Sequence, residues 1–356
     1  MTGPMEERLE RLDRFERWPM VGVAGARGVV GSVFLSILAD AGLPAERLRA
    51  FGTEPGMVSY GEGTIPLRLL DDETAPKLDV LFLATDAAIS REIVAGPGQR
   101  VPLIIDNSSA FRLDPQVPLV VPEANARALR GRGGNLVANP NCTTAAAVVV
   151  LAPIRDAVGL ASVDLASYQA VSGAGRAGLD AFLAERGSED REQASGSPFH
   201  GRIADSVVPQ IDLLAEDGWT GEERKIHAEI RKILDLPELD VAATAVRVPV
   251  RTGHSLALHF RTLRAATAPY LEEVLRHAPG LEYRAADGSE RHPMPLDVEG
   301  RDPVIVGRLR AVPGRERGFA CFVTSDNLRK GAALNAIQVA AAADPDWFGA
   351  LVPPSR

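Results

Sequence analysis

The feature that most constrains the fold is a regular alternation of short apolar segments with helix-length amphipathic segments, which begins at Met20. The pattern predicts a helix over Val29–Ala41 and strands at Met20–Ala24, Leu48–Gly52, Val80–Thr85 and Pro102–Asp106. Strands that alternate with helices form a largely parallel sheet through right-handed crossovers. We therefore expect the first part of the chain to form a Rossmann-like, doubly wound α/β domain.

From about Val163 the pattern changes to alternating, strand-like segments. Strands are predicted at Val163–Ala170, Val241–Val250, Ser255–Phe260, Val304–Arg310 and Phe319–Thr324, and helices at Gly221–Leu234 and Arg329–Ala343. Period-two alternation favours a mixed or antiparallel sheet with one solvated face. The second part should therefore be an α+β domain with a mixed sheet. The length of 356 residues suits two domains, at roughly 150 residues each.

Charge and cysteine content exclude several functional classes. The net charge is -8, which argues against a nucleic-acid or anionic-membrane partner. No apolar stretch approaches the ~18 residues that span a bilayer. The two cysteines, Cys142 and Cys321, form no C-x-x-C pair. A disulfide scaffold or cysteine-rich metal site is not expected, and a cytoplasmic location fits best.

Residues 1–19 form an N-terminal extension rich in Glu, Arg and Asp, without the apolar core of a secretory signal. Its apolar residues recur every three positions at Leu9, Leu12, Phe15 and Trp18. That spacing predicts a short amphipathic helix, which either covers an interface or lies in solvent.

Three glycines follow the first predicted strand at three-residue spacing: Gly25, Gly28 and Gly31. Glycines at this position permit a tight turn and let the backbone and a helix N-terminus approach a diphosphate. Their place after the first strand of an alternating α/β segment favours dinucleotide binding. The alternative is a glycine-rich turn without a ligand.

Cys142 directly precedes the apolar helix predicted over Ala145–Val158. A thiol at a helix N-terminus is close to the positive end of the helix dipole, which favours the nucleophilic thiolate. The alternative is a small buried apolar residue, and that interpretation fits Cys321 among its apolar neighbours. We also expect the N–H groups at the helix start after Cys142 to stabilise an oxyanion.

Among the six histidines, His254 is the best candidate for a base that partners the thiol. Arg247 and His254 are seven positions apart, so an unbroken strand would place them on opposite faces. Pro249 and Gly253 disturb strand pairing between them, which lets both side chains reach one pocket.

Glu222 and Lys225 share one face of the predicted helix at three-residue spacing. A solvated ion pair is the ordinary interpretation of such a pair. Only four of the 39 basic residues are lysines, however. Keeping a lysine at position 225 suggests a need for a compact ammonium group.

Six motifs, in this order along the chain, together resemble the aspartate-semialdehyde dehydrogenase family. They are Asn139–Thr144, Ser167–Gly175, Val207–Asp212, Glu222–Lys225, Arg247–His254 and Asp326–Ala333. The similarity runs from about Val21 to Ala340. It implies a dinucleotide-binding domain of residues 20–141 and 327–356, and a catalytic and dimerisation domain of residues 142–326.

The resemblance also implies residue roles. Cys142 would be the nucleophile and His254 the acid/base, with Gln169 orienting a thioester. Arg247 would bind the substrate α-carboxylate and Glu222 its α-ammonium. Arg112 and Lys225 would bind phosphate. The residues expected at the cofactor are Gly25, Arg27, Gly28, Val29, Val30, Gly31, Glu54, Ser172, Gly173 and Asn327. No metal is needed.

The family makes aspartate semialdehyde from aspartyl phosphate, on the route to lysine, threonine and methionine, with NADP as its cofactor. The resemblance further implies a homodimer or homotetramer. One departure concerns the cofactor, because Glu54 stands near the position where the family carries an Arg-Ser pair for the 2′-phosphate. A carboxylate there favours a free 2′-hydroxyl, so we expect NAD to be usable, although Arg27 offers a compensating cation.

Two alternatives stay open. A reductase of N-acetylglutamyl phosphate has the same mechanism, but it needs no ammonium-binding carboxylate, so Glu222 and Asn141 argue against it. A non-catalytic homologue that binds a dinucleotide or a protein would have no chemical need to keep all four of Cys142, Gln169, Arg247 and His254.

Overall fold

A computed structural model describes residues 18–188, 192–285 and 291–344. Most of the predicted N-terminal helix therefore lies outside the described residues. The described chain forms two compact units, the first of residues 18–118, 127–139 and 336–344 and the second of residues 119–126 and 140–335. This division differs from the predicted domains at three places: residues 119–126 belong to the second unit, the second unit resumes at Pro140, and the chain returns to the first unit at Ala336.

The first unit contains a seven-stranded sheet with the order β3-β4-β2-β1-β5-β6-β7. Its strands are β1 Val21–Ala24, β2 Leu48–Phe51, β3 Gly56–Tyr60, β4 Gly63–Arg68, β5 Val80–Leu83, β6 Leu103–Asp106 and β7 Leu136–Ala138. Its helices include α1 Val29–Asp40 and α2 Ala87–Ala95. The four predicted strands and the first helix are confirmed to within two residues.

The central strands of this sheet are parallel and buried on both faces. β1 pairs with β2 on one side and with β5 on the other, and every residue of β1 and β5 is buried. This explains their continuous apolar runs. The hairpin of β3 and β4 was not predicted. Its antiparallel strands lie at one edge of the sheet and are largely exposed, so they lack a strong apolar pattern.

The second unit contains a mixed six-stranded sheet with the order β11-β12-β13-β10-β8-β9. Its strands are β8 Leu160–Gln169, β9 Asp240–Arg247, β10 His254–Thr262, β11 Leu281–Arg284, β12 Val304–Ala311 and β13 Gly318–Ser325. β10 is antiparallel to both β8 and β13, whereas β8 is parallel to β9. The predicted mixed sheet is confirmed.

The remaining helices are α3 Pro122–Asn125, α4 Cys142–Val158, α5 Gly175–Arg186, α6 Gly221–Leu234, α7 Ala268–Arg276 and α8 Leu334–Ala343. α4 is buried along almost its whole length. α6 starts with a capping box, in which Thr220 and Glu223 satisfy each other's backbone N–H groups. The predicted helix over Arg329–Ala343 is a π-helical turn, Arg329–Ala333, followed by α8.

No helix among the described residues has the length and apolarity to cross a membrane.

Candidate active site

Cys142 is the first residue of α4, and Asn141 is the N-cap of that helix. The side-chain oxygen of Asn141 accepts hydrogen bonds from the backbone N–H groups of Thr143 at 2.9 Å and Thr144 at 3.2 Å. These donors are therefore already used by the cap. The expectation that the N–H groups after Cys142 stabilise an oxyanion is wrong for these two residues.

Two buried glutamates of α6 fix Asn141 in place. The side-chain amide of Asn141 donates to Glu222 Oε1 at 2.8 Å, and its backbone N–H donates to Glu229 Oε2 at 2.7 Å. Positions 222 and 229 are seven apart, so both carboxylates lie on one face of the helix. Glu229 was missed from the sequence, although its spacing from Glu222 was the available signal.

Gln169 extends this cluster from the end of β8. Its Nε2 donates to Glu222 Oε1 at 3.0 Å and to Ser167 Oγ at 3.2 Å. Glu222 is only 5% exposed, so the ordinary interpretation of a solvated pair does not fit it. One carboxylate oxygen thus accepts from both amide side chains, which orients Gln169 and Asn141 relative to each other.

Lys225 lies at the more open side of Glu222. Its Nζ is 2.6 Å from Asp212 Oδ2 and 3.6 Å from Glu222 Oε2. The hydrogen bond from Lys225 is the largest cause that lowers the pKa of Asp212. Sequence reasoning did not single out Asp212 itself, which sits at a φ of 70°. An anion that binds Lys225 must therefore compete with this carboxylate.

Arg247 and His254 are brought together by the end of one strand and the start of another. β9 ends at Arg247, Gly253 adopts a φ of +93°, and β10 begins at His254. A Cβ on Gly173 would lie 2.8 Å from Arg247 Nη1 and 3.3 Å from His254 Nε2. Both side chains thus meet at Gly173, as the break between them predicted.

The backbone of one residue, Ala170, orients both side chains. Arg247 Nη1 donates to the Ala170 carbonyl at 2.7 Å, and the Ala170 N–H donates to His254 Nδ1 at 3.1 Å. Because Nδ1 accepts this bond, the neutral ring carries its hydrogen on Nε2. Within the described part of the chain, buried Nε2 has no hydrogen-bond partner. A donor is therefore left for a ligand.

The charges of the site follow from burial. Burial is the main cause that lowers the pKa of Arg247, and the charges of Cys142 and Glu222 oppose it. Burial, and then the charge of Arg247, hold the pKa of His254 well below its ordinary value. The pocket thus combines a cation, a neutral imidazole and a carboxylate close to the thiol of Cys142.

Ser172 and Asn327 form a hydrogen-bonded pair next to Gly253, the residue before His254. Asn327 Nδ2 donates to Ser172 Oγ at 3.0 Å, and Asn327 Oδ1 accepts from the Gly253 N–H at 2.9 Å. Both side chains are buried. Asn327 thereby fixes the turn that leads into His254.

The glycine turn of the first unit lines a cavity of about 340 Å³. Gly25 adopts a φ of +77°, and a Cβ on Gly31 would collide with the Gly25 carbonyl oxygen. Gly25, Arg27, Gly28 and Glu54 all line the cavity, whereas Val29, Val30 and Gly31 do not. The turn has the open backbone that a diphosphate requires, so these residues fit a dinucleotide.

Arg27 and Glu54 give the mouth of this cavity both signs of charge, and both are exposed. The Arg27 guanidinium packs on Gly56, where a Cβ would overlap it. Arg112 also belongs to the first unit. Its Nε donates to the Asn139 carbonyl at 2.9 Å and its Nη2 to the Asn107 carbonyl at 2.7 Å.

Two family models match the chain. The "Semialdehyde dehydrogenase, NAD binding domain" matches residues 20–132, and the "Semialdehyde dehydrogenase, dimerisation domain" matches residues 151–330. The aspartate-semialdehyde dehydrogenase of Streptomyces akiyoshiensis is 39% identical over 90% of this chain and 97% of its own length.

Solved structures that resemble this chain belong to the same family of enzymes. Aspartate semialdehyde dehydrogenase II of Vibrio cholerae, complexed with ASA, is 32% identical with a TM-score of 0.85 over 93% of this chain and 99% of that one. The Candida albicans enzyme with NADP shares the fold at 23% identity, with a TM-score of 0.71 over 92% of this chain and 99% of its own. With both domains matched and a relative this similar over nearly its full length, the chain belongs to the aspartate-semialdehyde dehydrogenase family.

Proposed function

We propose that this chain catalyses the reversible reductive dephosphorylation of L-aspartyl 4-phosphate to L-aspartate 4-semialdehyde and phosphate. The product would feed lysine, threonine and methionine biosynthesis. The observation that carries the proposal is the convergence of buried Gln169, Glu222, Arg247 and His254 at the start of the helix that carries Cys142. Family membership and the relative complexed with ASA support it.

Cys142 acts as the nucleophile. The helix N-terminus and the Arg247 cation favour its thiolate. The thiolate attacks the acyl carbon, the C–O bond to phosphate breaks, and a thioester on Cys142 remains. The reduced nicotinamide, when bound, supplies the hydride that takes the acyl group to the aldehyde level.

Substrate recognition follows from the buried charges. Arg247 binds the α-carboxylate, for which a guanidinium offers paired donors. Glu222 binds the α-ammonium through its carboxylate, which also fixes Gln169 close to the acyl group. Lys225 and Arg112 bind the phosphate, with Lys225 exchanging its contact with Asp212 for the phosphate. An N-acetylated substrate has no ammonium group to offer Glu222, which disfavours the acetylglutamyl alternative.

His254 supplies a hydrogen bond to the oxygen that becomes negative when the thiolate adds. This differs from the acid/base role implied by the resemblance. The Ala170 N–H occupies Nδ1, and burial beside Arg247 opposes protonation. The Nε2–H group is thus a fixed donor in a buried site, where such donors stabilise an oxyanion strongly. A thiolate that both attacks and leaves requires no proton from the ring.

The cofactor is NADP, with NAD as a usable alternative. Glu54 repels a 2′-phosphate and accepts a hydrogen bond from a 2′-hydroxyl, whereas Arg27 attracts the phosphate. Both residues line the cavity at the glycine turn, which supports their joint control of the preference. The matched dimerisation domain supports a homodimer, or a tetramer built from it. A thiolate nucleophile also suits the reducing cytoplasm.

The test is phosphate-dependent oxidation of aspartate semialdehyde, followed by nicotinamide absorbance with NADP and NAD in parallel. Turnover that disappears in Cys142→Ala supports the proposal. Folded protein without turnover on this substrate, but with turnover on N-acetylglutamate semialdehyde, would transfer the assignment to the alternative reductase. Inactivity on both would favour a non-catalytic homologue.

A further inference from the structure

A buried lysine outside the proposed chemistry lies at the centre of a polar cluster in the second unit. Lys330 is 1% exposed, and its Nζ donates to Glu123 Oε2 at 2.6 Å and to Asn335 Oδ1 at 2.8 Å. Asn335 Nδ2 in turn donates to the Val120 carbonyl at 2.9 Å. We define Lys330, Glu123 and Asn335 as the lysine cluster. It ties residues 119–126 to the segment that begins at Arg329.

Lys330 belongs to the π-helical turn Arg329–Ala333. The Gly331 N–H donates to the Asp326 carbonyl at 3.1 Å and the Ala333 N–H to the Leu328 carbonyl at 3.0 Å, both across five residues. Wide turns of this kind are rare and often lie at functional sites. The lysine cluster links Lys330, inside this turn, to Asn335, which lies just after it.

The turn also packs on α4. A Cβ on Gly331 would lie 2.7 Å from the Cβ of Cys142 and 3.2 Å from its Cα. The backbone of Gly331 thus lies directly against the residue that bears the thiol. Any shift of the turn must move Cys142 or open a gap beside it.

A buried ion pair is a poor device for stability alone. Burial is the main cause that lowers the pKa of Lys330, and the carboxylate of Glu123, followed by the charge of Asp302, opposes it. Replacing such a pair by neutral side chains of similar size is often neutral or stabilising. What a pair of this kind does provide is one defined geometry, and here that geometry includes the wall against which Cys142 lies.

We propose that the lysine cluster is a positioning device for Cys142, acting through the π-helical turn and the contact of Gly331 with Cys142. The inference rests on the proposed function only in that Cys142 is the nucleophile. Lys330, Glu123 and Asn335 are positioning residues, because none of them is assigned a contact with substrate or cofactor.

The test compares Lys330→Met, the double variant Lys330→Met/Glu123→Gln, and the control Arg329→Met. Arg329 precedes Lys330 in the same turn, and its ion pair is with Asp302, whose side chain is 53% exposed. The measurement is the rate at which iodoacetamide alkylates Cys142, with the site identified by mass spectrometry, together with Tm, kcat and KM. Alkylation needs no turnover, so a failure of the proposed reaction would leave this test intact.

We expect the double variant to keep a Tm close to that of the unmodified chain, because it leaves no unpaired buried charge. Its alkylation rate and kcat should still fall by about 10-fold to 100-fold, with KM nearly unchanged, as a misplaced reacting group requires. Arg329→Met should keep a Tm close to that of the unmodified chain. Its alkylation rate, kcat and KM should stay within about twofold of the unmodified values.

A double variant that melts normally and alkylates at the unmodified rate would overturn the proposal and leave the cluster a purely structural role. If the double variant does not fold, the variant Gly331→Ala provides the test of the proposal. It keeps the lysine cluster and places a methyl group against Cys142. Slower alkylation with unchanged KM supports the contact of Gly331 with Cys142 as the link through which the cluster acts, and an unmodified rate contradicts the proposal.

Discussion

The backbone N–H of Ala170 points at Nδ1 of His254, with 3.1 Å between the two nitrogens. This bond fixes the tautomer of the ring and leaves Nε2–H as the one group that His254 offers to a ligand. A histidine in this state is a donor, and its replacement by another donor should be less harmful than its removal.

His254→Gln should therefore retain more activity than His254→Ala. The amide of Gln can donate a hydrogen bond but cannot exchange a proton near neutral pH. Loss of an oxyanion donor typically costs about 100-fold to 1,000-fold in kcat, and we expect this loss for the Ala variant. The Gln variant should be at least about 10-fold faster. Equal kcat values in the two variants would restore the acid/base role.

The buried imidazole should also make stability pH-dependent. The pKa of His254 is well below 6.5 in the folded chain, so only the unfolded chain takes up this proton as the pH falls through 6.5. The contribution to stability is complete above that pH and is lost below it, by up to about 1.4 kcal/mol per pH unit. Urea denaturation at several pH values, from neutral to mildly acidic, measures this effect. The free energy of unfolding should fall more steeply with decreasing pH in the unmodified chain than in His254→Gln. An equal dependence of the unfolding free energy on pH in the two proteins would contradict the prediction.

Gly173→Ala should impair catalysis through sterics alone. The added methyl group would lie 2.8 Å from Arg247 Nη1 and 3.2 Å from His254 Cε1. Displacing either side chain by about 1 Å should lower kcat/KM by about 100-fold. Gly201→Ala is the matched control, because no described atom outside its two chain neighbours lies within 4 Å of its added Cβ. Comparable kcat/KM values for the two variants would show that the pocket is not at Gly173.

Asp212→Asn should strengthen phosphate binding. The substitution removes the carboxylate that holds Lys225 at 2.6 Å, so phosphate no longer competes with it. We expect KM for phosphate to fall several-fold in the oxidative direction, whereas Lys225→Met should raise it. Initial rates at varied phosphate measure both effects. An increase of KM in Asp212→Asn would instead assign Asp212 to positioning Lys225.

Glu54→Gln should shift the cofactor preference towards NADP. Removing one negative charge near the 2′-phosphate is worth about a tenfold change in the ratio of kcat/KM values, if about 1.4 kcal/mol of repulsion is relieved. Glu62→Gln is a control, because Glu62 is an exposed glutamate in the β3–β4 turn that does not line the cavity. A ratio that does not change would assign the preference to Arg27 alone.

The strands and the glycine turn were readable from the sequence because buried parallel strands and helix-opening glycines leave local patterns. The meeting of Arg247 with His254 was also predictable, since Pro249 and Gly253 lie between them. Contacts between segments that are distant in the sequence leave no such local pattern. Glu229 reaches Asn141 across 88 positions and Lys330 reaches Glu123 across 207.

The error at Thr143 and Thr144 has a different origin. A helix N-terminus predicts spare N–H donors only when the N-cap side chain does not use them. Asn141 was visible in the sequence, and its capping preference is well known. What the sequence did not show is that both glutamates of α6 would hold Asn141 in the capping orientation.

The exposure of Glu54 has a consequence for cofactor preference. It follows β2 in the first sheet, whereas Gln169, Glu222, Arg247 and His254 are all anchored in the second unit. Under the proposed role of Glu54, substitution of this one surface side chain changes the cofactor preference without disturbing the contacts that orient the proposed reacting groups. The proposed cofactor contact and the proposed thiol chemistry therefore rest on separate sets of side chains, so a substitution at one need not alter the other.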